Sequence, residues 1–276
     1  DRLDRPGRPE MSMWRPEDLH VVVLARAVFT LHGRGGLERH VYDLVRHLAY
    51  RGVRITLVTR PPTTIDGQAS LDDDLPADRV TMRFVPYRTF PLAGRRGTTV
   101  IDRSTAYPLF GWRAGRLAAR LVRAGGVQVV HGLGASALGY ASARRGTPLE
   151  TVPFVFNPQG LEEFGATDPT RARLKRLAYR PLQAAVRACA TAADRVIATD
   201  RVLVPVVLGA LPIPPSRLAI VPNAIDVAAI DKLTTAAARS PDELTTAAAP
   251  SPDERGGHGH GDRILLSVGR LEENKG

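Results

Sequence analysis

The chain has 276 residues, 43% hydrophobic and 24% charged, a globular composition with room for one large or two small domains. It contains no run of 18 apolar residues, which argues against a membrane-spanning helix, and its single cysteine, Cys189, rules out an intrachain disulfide. The net charge of +10 is carried almost wholly by arginine, but no zinc-finger spacing or RNP-type aromatic motif accompanies it, so charge alone does not make a nucleic-acid binder.

Residues 1–16 are polar, with three prolines, and read as a disordered lead-in that lacks the apolar core of a signal peptide. A reducing, cytoplasmic setting is expected from that and from the lone cysteine. Leu19 to Ala25 is nearly all apolar and β-branched, as a buried strand would be. The turn that follows contains Gly33, Gly35 and Gly36, and then Leu37, Val41, Leu44, Val45 and Leu48 recur at helical spacing. Strand, glycine turn and helix form the front end of a Rossmann-type unit, in which Gly35 and Gly36 let a phosphate or sugar approach the first helical N–H groups. The dinucleotide fingerprint would need glycine where Glu38 stands, and no Gly-Lys-Ser/Thr follows to make a P-loop.

Arg54 to Thr59 predicts a second strand and Val80 to Pro86 a third, with surface loops at 63–78 and 87–102. Ser104 to Arg123 reads as a helix whose Arg113, Arg116, Arg120 and Arg123 share one face. That face suits either solvent or the surface of an anionic membrane. Val127 to His131 predicts a fourth strand ending in a histidine, at the edge where open α/β sheets bind ligands, and Ala137 to Arg145 the helix after it. The next strand begins at Pro153 and runs into the Asn157-Pro158-Gln159-Gly160 loop, where Glu162 and Glu163 are adjacent and so do not face one another on a helix. Residues 170–193 read as a long basic helix broken or kinked at Pro181, in which Cys189 is a packed residue, and 194–200 as a short strand and turn. Residues 233–243 repeat almost unchanged as 244–254, with the composition of a flexible linker, and His258 and His260 between glycines lack the frame of a metal site. A last apolar strand starts at Arg263 and ends in Gly269-Arg270.

Five segments in this order resemble the retaining GT-B glycosyltransferases of the family 4 type. They are the Gly35-Gly36-Leu37-Glu38 loop with its helix, the strand ending in His131, the 157–160 loop, Asp194 to Asp200 with Leu218 to Asp226, and Arg270 with Lys275 in a GRxxxxKG pattern. Two departures stand out: Leu133 replaces the second histidine that many members carry, and Ala224 replaces a glycine. The resemblance implies an α/β fold, a Rossmann-like parallel sheet with helices on both faces, forming the N-terminal half of a GT-B enzyme. The implied domains are a 17–230 acceptor-side unit, a 231–262 linker, and a 263–276 stub of the donor-binding domain.

It implies transfer of a sugar from a nucleotide-diphosphate sugar to an acceptor hydroxyl of a sugar, lipid or small molecule, with no metal or other cofactor. His131 would contact the transferred sugar or orient the acceptor. Gly35 and Gly36 would face the donor, Arg270 and Lys275 would hold its diphosphate, and Glu38, Asn157, Gln159 and Gly160 would line the acceptor side. Because the chain contains only the start of a donor domain, these 276 residues are expected to be inactive alone. The protein is expected in the cytoplasm, with peripheral contact to the inner membrane face through the arginine stripe. A non-catalytic module that binds a sugar or phospholipid acceptor is the alternative from another class, and a basic nucleic-acid binder is a third.

Overall fold

The computed structural model describes residues 15–33, 35–62, 75–88, 98–159, 161–164, 177–223 and 231. The chain divides into two compact units, Asp1–Ala224 and Ile225–Gly276, and nearly all of the described residues lie in the first. Seven strands form one sheet: β1 (His20–Leu24), β2 (Arg54–Thr59), β3 (Val80–Phe84), β4 (Val129–Leu133), β5 (Phe154–Asn157), β6 (Arg195–Ala198) and β7 (Leu218–Ile220). Their order is β3-β2-β1-β4-β5-β6-β7, and every pairing is parallel. The order reverses between β1 and β4, which makes that seam the switch point where such sheets open a crevice at their carboxyl edge.

Among the described residues five α-helices accompany the sheet: α1 (Gly36–Tyr50), α2 (Thr98–Arg123), α3 (Leu138–Arg144), α4 (Arg180–Ala192) and α5 (Leu203–Ala210). The period-two alternation of β1 sorts its side chains between two cores. Val22 and Leu24 pack with Phe110 and Ala114 of α2, Tyr140 of α3 and Cys189 of α4. Val21, Val23 and Ala25 pack with Val41, Tyr42, Val45 and Ala49 of α1. A strand covered on both faces has to be apolar at every position, and His20-Val21-Val22-Val23-Leu24 nearly is.

Backbone contact, with no side chain between, joins α2 to α3. A Cβ on Gly111 would collide with the Ala135 carbonyl, one on Gly115 with the backbone of Gly139 and Tyr140, and one on Gly139 with the Trp112 carbonyl. At the end of α3, Arg144 is almost wholly buried. It donates to Asp194 Oδ2 at 2.5 Å and to the Ala192 carbonyl at 2.7 Å, while Asp194 also accepts from the Phe154 N–H at 2.8 Å. One carboxylate thus ties α3 to the start of β5 and β6.

Several boundaries differ from the sequence expectation. The fourth strand runs 129–133, so His131 stands at its centre and not at its end. Gly125 and Gly126 both take positive φ, which delays the strand past Val127. Helix α2 starts at Thr98, inside the expected 87–102 loop, and continues through Pro108. The expected long helix is broken at this point: residues 177–178 are helical, Tyr179 is a turn, and α4 starts at Arg180 with Pro181 in its first turn, where a proline removes only an N–H that has no helical acceptor; residues 170–176 lie outside the described residues. The third strand stops at Phe84 and the fifth starts at Phe154. Helix α5 had no counterpart in the sequence reading. The tandem repeat, His258, His260 and the 263–276 strand lie outside the described residues.

Gly115→Ala is expected to lower stability by about 1–3 kcal/mol, since its methyl group would have to displace backbone. Asp194→Ala, which strands the buried Arg144 guanidinium, should cost about 3–5 kcal/mol. Urea denaturation of the two variants against the parent checks both.

Candidate active site at the carboxyl edge of the sheet

Gly33, at φ 140, begins the approach to α1, and Gly35 precedes the helix in extended conformation. No side chain caps the helix at Gly35, and the first intrahelical bond runs from the Arg39 N–H to the Gly35 carbonyl. The N–H groups of Gly36, Leu37 and Glu38 therefore have no acceptor within the helix, and the positive end of the helix dipole adds to their pull on an anion. A Cβ on Gly36 would meet nothing within 4 Å, so the protein's own packing does not require glycine there. A Cβ on Gly35 would meet the Glu38 carboxylate, which is turned back over the start of the helix.

His131 pairs with Val23 of β1 and Val155 of β5, which places it on the switch-point seam and on the α1 side of the sheet. Its Nε2 is buried and has no hydrogen-bond partner among the described residues. Burial, and then the nearby charge of His40, push the His131 imidazole down to about 4. His40, one turn into α1, also has a buried Nε2 without a described partner, and burial lowers its affinity for a proton against the opposing effect of Asp43. Two neutral imidazoles beside the open start of α1 can each offer a lone pair or an N–H to a hydroxyl. Leu133, where a second histidine was looked for, closes the end of β4 as part of the α1-side core.

Asn157 is the last residue of β5 and is buried. Its Oδ1 accepts from the Gln159 N–H at 2.9 Å, and Gln159 and Leu161 take positive φ of 66° and 51°. Such backbone is costly for residues with side chains, and here the Asn157 bond helps to hold it. Gly160, Arg270 and Lys275 lie outside the described residues. Gly35, Gly36 and Glu38 thus stand together at the start of α1, His131 lies near His40 of the same helix, and Asn157 and Gln159 stand at the exit of β5, the strand beside β4.

The sequence reading missed a polar cluster on the α2 side of the same edge. It comprises Arg26 beyond β1, Arg60 after β2, Tyr87 beyond β3, and Asp102 and Tyr107 of α2. The signal was available, since a residue directly after a parallel strand lies at the ligand-binding edge. His40, inside the glycine-loop stretch, was passed over for the same reason: its partner comes from a strand 91 positions later. Among the described residues no three His, Cys, Asp or Glu side chains gather as a metal ligand set, and no helix is long and apolar enough to cross a membrane.

Because folding lowers the proton affinity of His131, the unfolded chain binds more protons between pH 6.5 and 4. Stability is therefore whole above pH 6.5 and falls as the pH drops toward 4. His131→Leu should narrow the difference between urea midpoints at pH 7.5 and pH 5, and chemical denaturation at the two pH values checks it.

The sequence model described as Glycosyltransferase Family 4 matches residues 34–229, from the glycine loop to beyond β7. No curated protein matches the chain. Similar solved structures include sucrose-phosphate synthase from Thermosynechococcus elongatus, with 14% identity and TM-score 0.48, covering 76% of this chain and 49% of that one. The catalytic domain of starch synthase IV from Arabidopsis thaliana, bound to ADP and acarbose, shows 13% identity and TM-score 0.46 over 76% of this chain and 52% of that one. Apo UGT2 of Phytolacca americana shows 14% identity and TM-score 0.47 over 78% and 54%. The chain spans about half the length of these structures. With the family model matched over well more than half of its length, the chain belongs to glycosyltransferase family 4.

Proposed function

We propose that this chain forms the acceptor-side wall of a glycosyltransferase that moves a sugar from a nucleotide-diphosphate sugar to an acceptor hydroxyl, with retention at the anomeric carbon. The observation that carries the reading is the unpartnered, buried Nε2 of His131 at the switch point, beside a helix start whose N–H groups have no side-chain cap. An orphaned polar atom in that position is satisfied when a ligand occupies the crevice. Family membership says which ligand class to test first.

In this reading the first-turn N–H groups of α1 face the donor's phosphate or sugar, and the empty space at Gly36 admits it. Arg270 and Lys275 neutralise the charge that builds on the leaving diphosphate, a task that then needs no metal. His131, neutral at physiological pH, bonds the transferred sugar or the acceptor hydroxyl without placing a second cation there. Glu38, Asn157 and Gln159 shape the acceptor side, with Gly160 in the same loop. The outer face of α2 exposes Leu109 and Trp112 beside Arg116, Arg120 and Arg123, which supports peripheral contact with an anionic membrane.

The test is nucleoside diphosphate release by the protein as its gene encodes it, offered UDP-, ADP- and GDP-linked sugars with hydroxyl acceptors. Proton NMR of the product reads the anomeric configuration. His131→Ala is expected to lower kcat/KM by about 100-fold or more with the fold intact by circular dichroism. Full activity in that variant removes His131 from the site, and an inverted product removes the retaining mechanism.

A further inference from the structure

The cluster on the α2 side of the edge holds two arginines in an arrangement that a tyrosine-and-carboxylate framework leaves incomplete. Strands β1 and β2 pair with Leu24 opposite Val58, and continuing that register sets Arg26 across from Arg60. The Arg26 guanidinium lies over the Tyr107 ring at 4.9 Å and that of Arg60 over the Tyr87 ring at 5.6 Å. Both rings are pinned by their hydroxyls. Tyr107 donates to the Leu133 carbonyl at 3.1 Å and lies 3.3 Å from Ser136 Oγ, and Tyr87 donates to Asp102 Oδ2 at 3.1 Å.

Flat guanidinium forks on fixed aromatic faces are pre-organised donors. Burial, and then the neighbouring Arg26 charge, lowers the hold of Arg60 on its proton, against the attraction of Tyr87, Glu38 and Asp102, so the two cations are close enough to repel. Of those two carboxylates, Asp102 accepts from Tyr87 and Glu38 is turned over the start of α1. Arg60 Nε is buried without a described partner, and so is the hydroxyl of Ser104, one turn before Tyr107. A buried guanidinium N–H left without a partner, near a second arginine, calls for an anion with several acceptor oxygens.

We propose that Arg26 and Arg60 clasp a phosphate group carried by the acceptor, so that the enzyme glycosylates a phosphorylated compound. The inference rests on the acceptor-side reading of this wall. A phosphate suits two forks better than a carboxylate does, since it offers each guanidinium its own pair of oxygens. The rings under the two arginines, Tyr87 and Tyr107, pack on the α2-side core, whereas His131 lies on the α1 side. Glu38 at the start of α1 is close enough to act on Arg60, so a donor diphosphate at α1 and an acceptor phosphate at the arginines would be neighbours at one sheet edge.

The experiment is calorimetric titration of the purified protein with glycerol 3-phosphate, with glycerol as the neutral comparison. Arg26→Gln and Arg60→Gln are each expected to weaken glycerol 3-phosphate binding by about tenfold or more, the equivalent of one charge-assisted hydrogen bond. Arg51→Gln, an exposed arginine just after α1, should leave it unchanged. Arg26→Lys and Arg60→Lys keep the charge and guard against loss of fold, and they should retain part of the affinity. Equal binding by wild type and both Gln variants, or equal binding of glycerol, overturns the clasp. Displacement of glycerol 3-phosphate by UDP shows that the arginines serve the donor and also overturns it.

Phosphatidylglycerol vesicles form the second arm. Vesicle binding that depends on Arg26 and Arg60 identifies a lipid headgroup as the phosphate source, and vesicle binding indifferent to both, with glycerol 3-phosphate binding intact, identifies a soluble phosphate ester. Phosphate binding without any sugar transfer leaves the clasp standing and sinks the transferase reading. Transfer unaffected by either Gln variant sinks the clasp alone.

Discussion

Strand β1 has to be hidden from water on both faces, and the rest of the molecule is arranged to do it. Val22, Val23 and Leu24 are fully buried. Each such side chain gains roughly 1.5–3 kcal/mol by leaving water. A helix on one face alone would leave half of that gain unrealised. Helix α1 covers the side of Val21 and Val23, and α2 with α3 and α4 covers the side of Val22 and Leu24. The second layer is thick, so α2 and α3 have to approach at backbone distance, and Gly111, Gly115 and Gly139 make that approach possible.

The same constraint puts the chemistry at one edge. Inside the sheet there is no room for charge, so polar side chains appear where strands end: Arg26 beyond β1, Arg60 after β2, Tyr87 beyond β3 and Asn157 closing β5. His131 is the departure, a titratable side chain in the body of a central strand. It can stay there because its ring remains neutral, and its bare nitrogen is the cost of the position. An apolar residue would pack there without that cost. The opposite edge of the sheet is used for structure: Asp194 and Arg144 are held among backbone groups, and their charges are consumed by each other.

How far the sequence could be read varied with the range of the interactions involved. The first strand and helix were legible because their patterns are local: a β-branched run, then apolar residues at three- and four-residue spacing. The start of α2 was not legible, because residues 98–103 carry no helical stripe of their own and Pro108 speaks against a helix. Pro181 was legible as a helix break, and a proline that marks a break is also the residue that can start the next helix, as it does in the first turn of α4. The start of β4 moved because two glycines before it take a conformation that periodicity does not reveal.

For the site, the sequence by itself determined the glycine turn, the helix after it, and the presence of a histidine in a central strand. These follow from residue type and spacing within one strand–turn–helix unit. Only the tertiary structure decided that His131 faces the α1 side and meets His40, and that Arg26 and Arg60 stand across from each other on tyrosine rings. Those relations join residues 27 to 91 positions apart. They depend on strand register and on which face each side chain takes, and a shift of one residue in register would reverse every one of them.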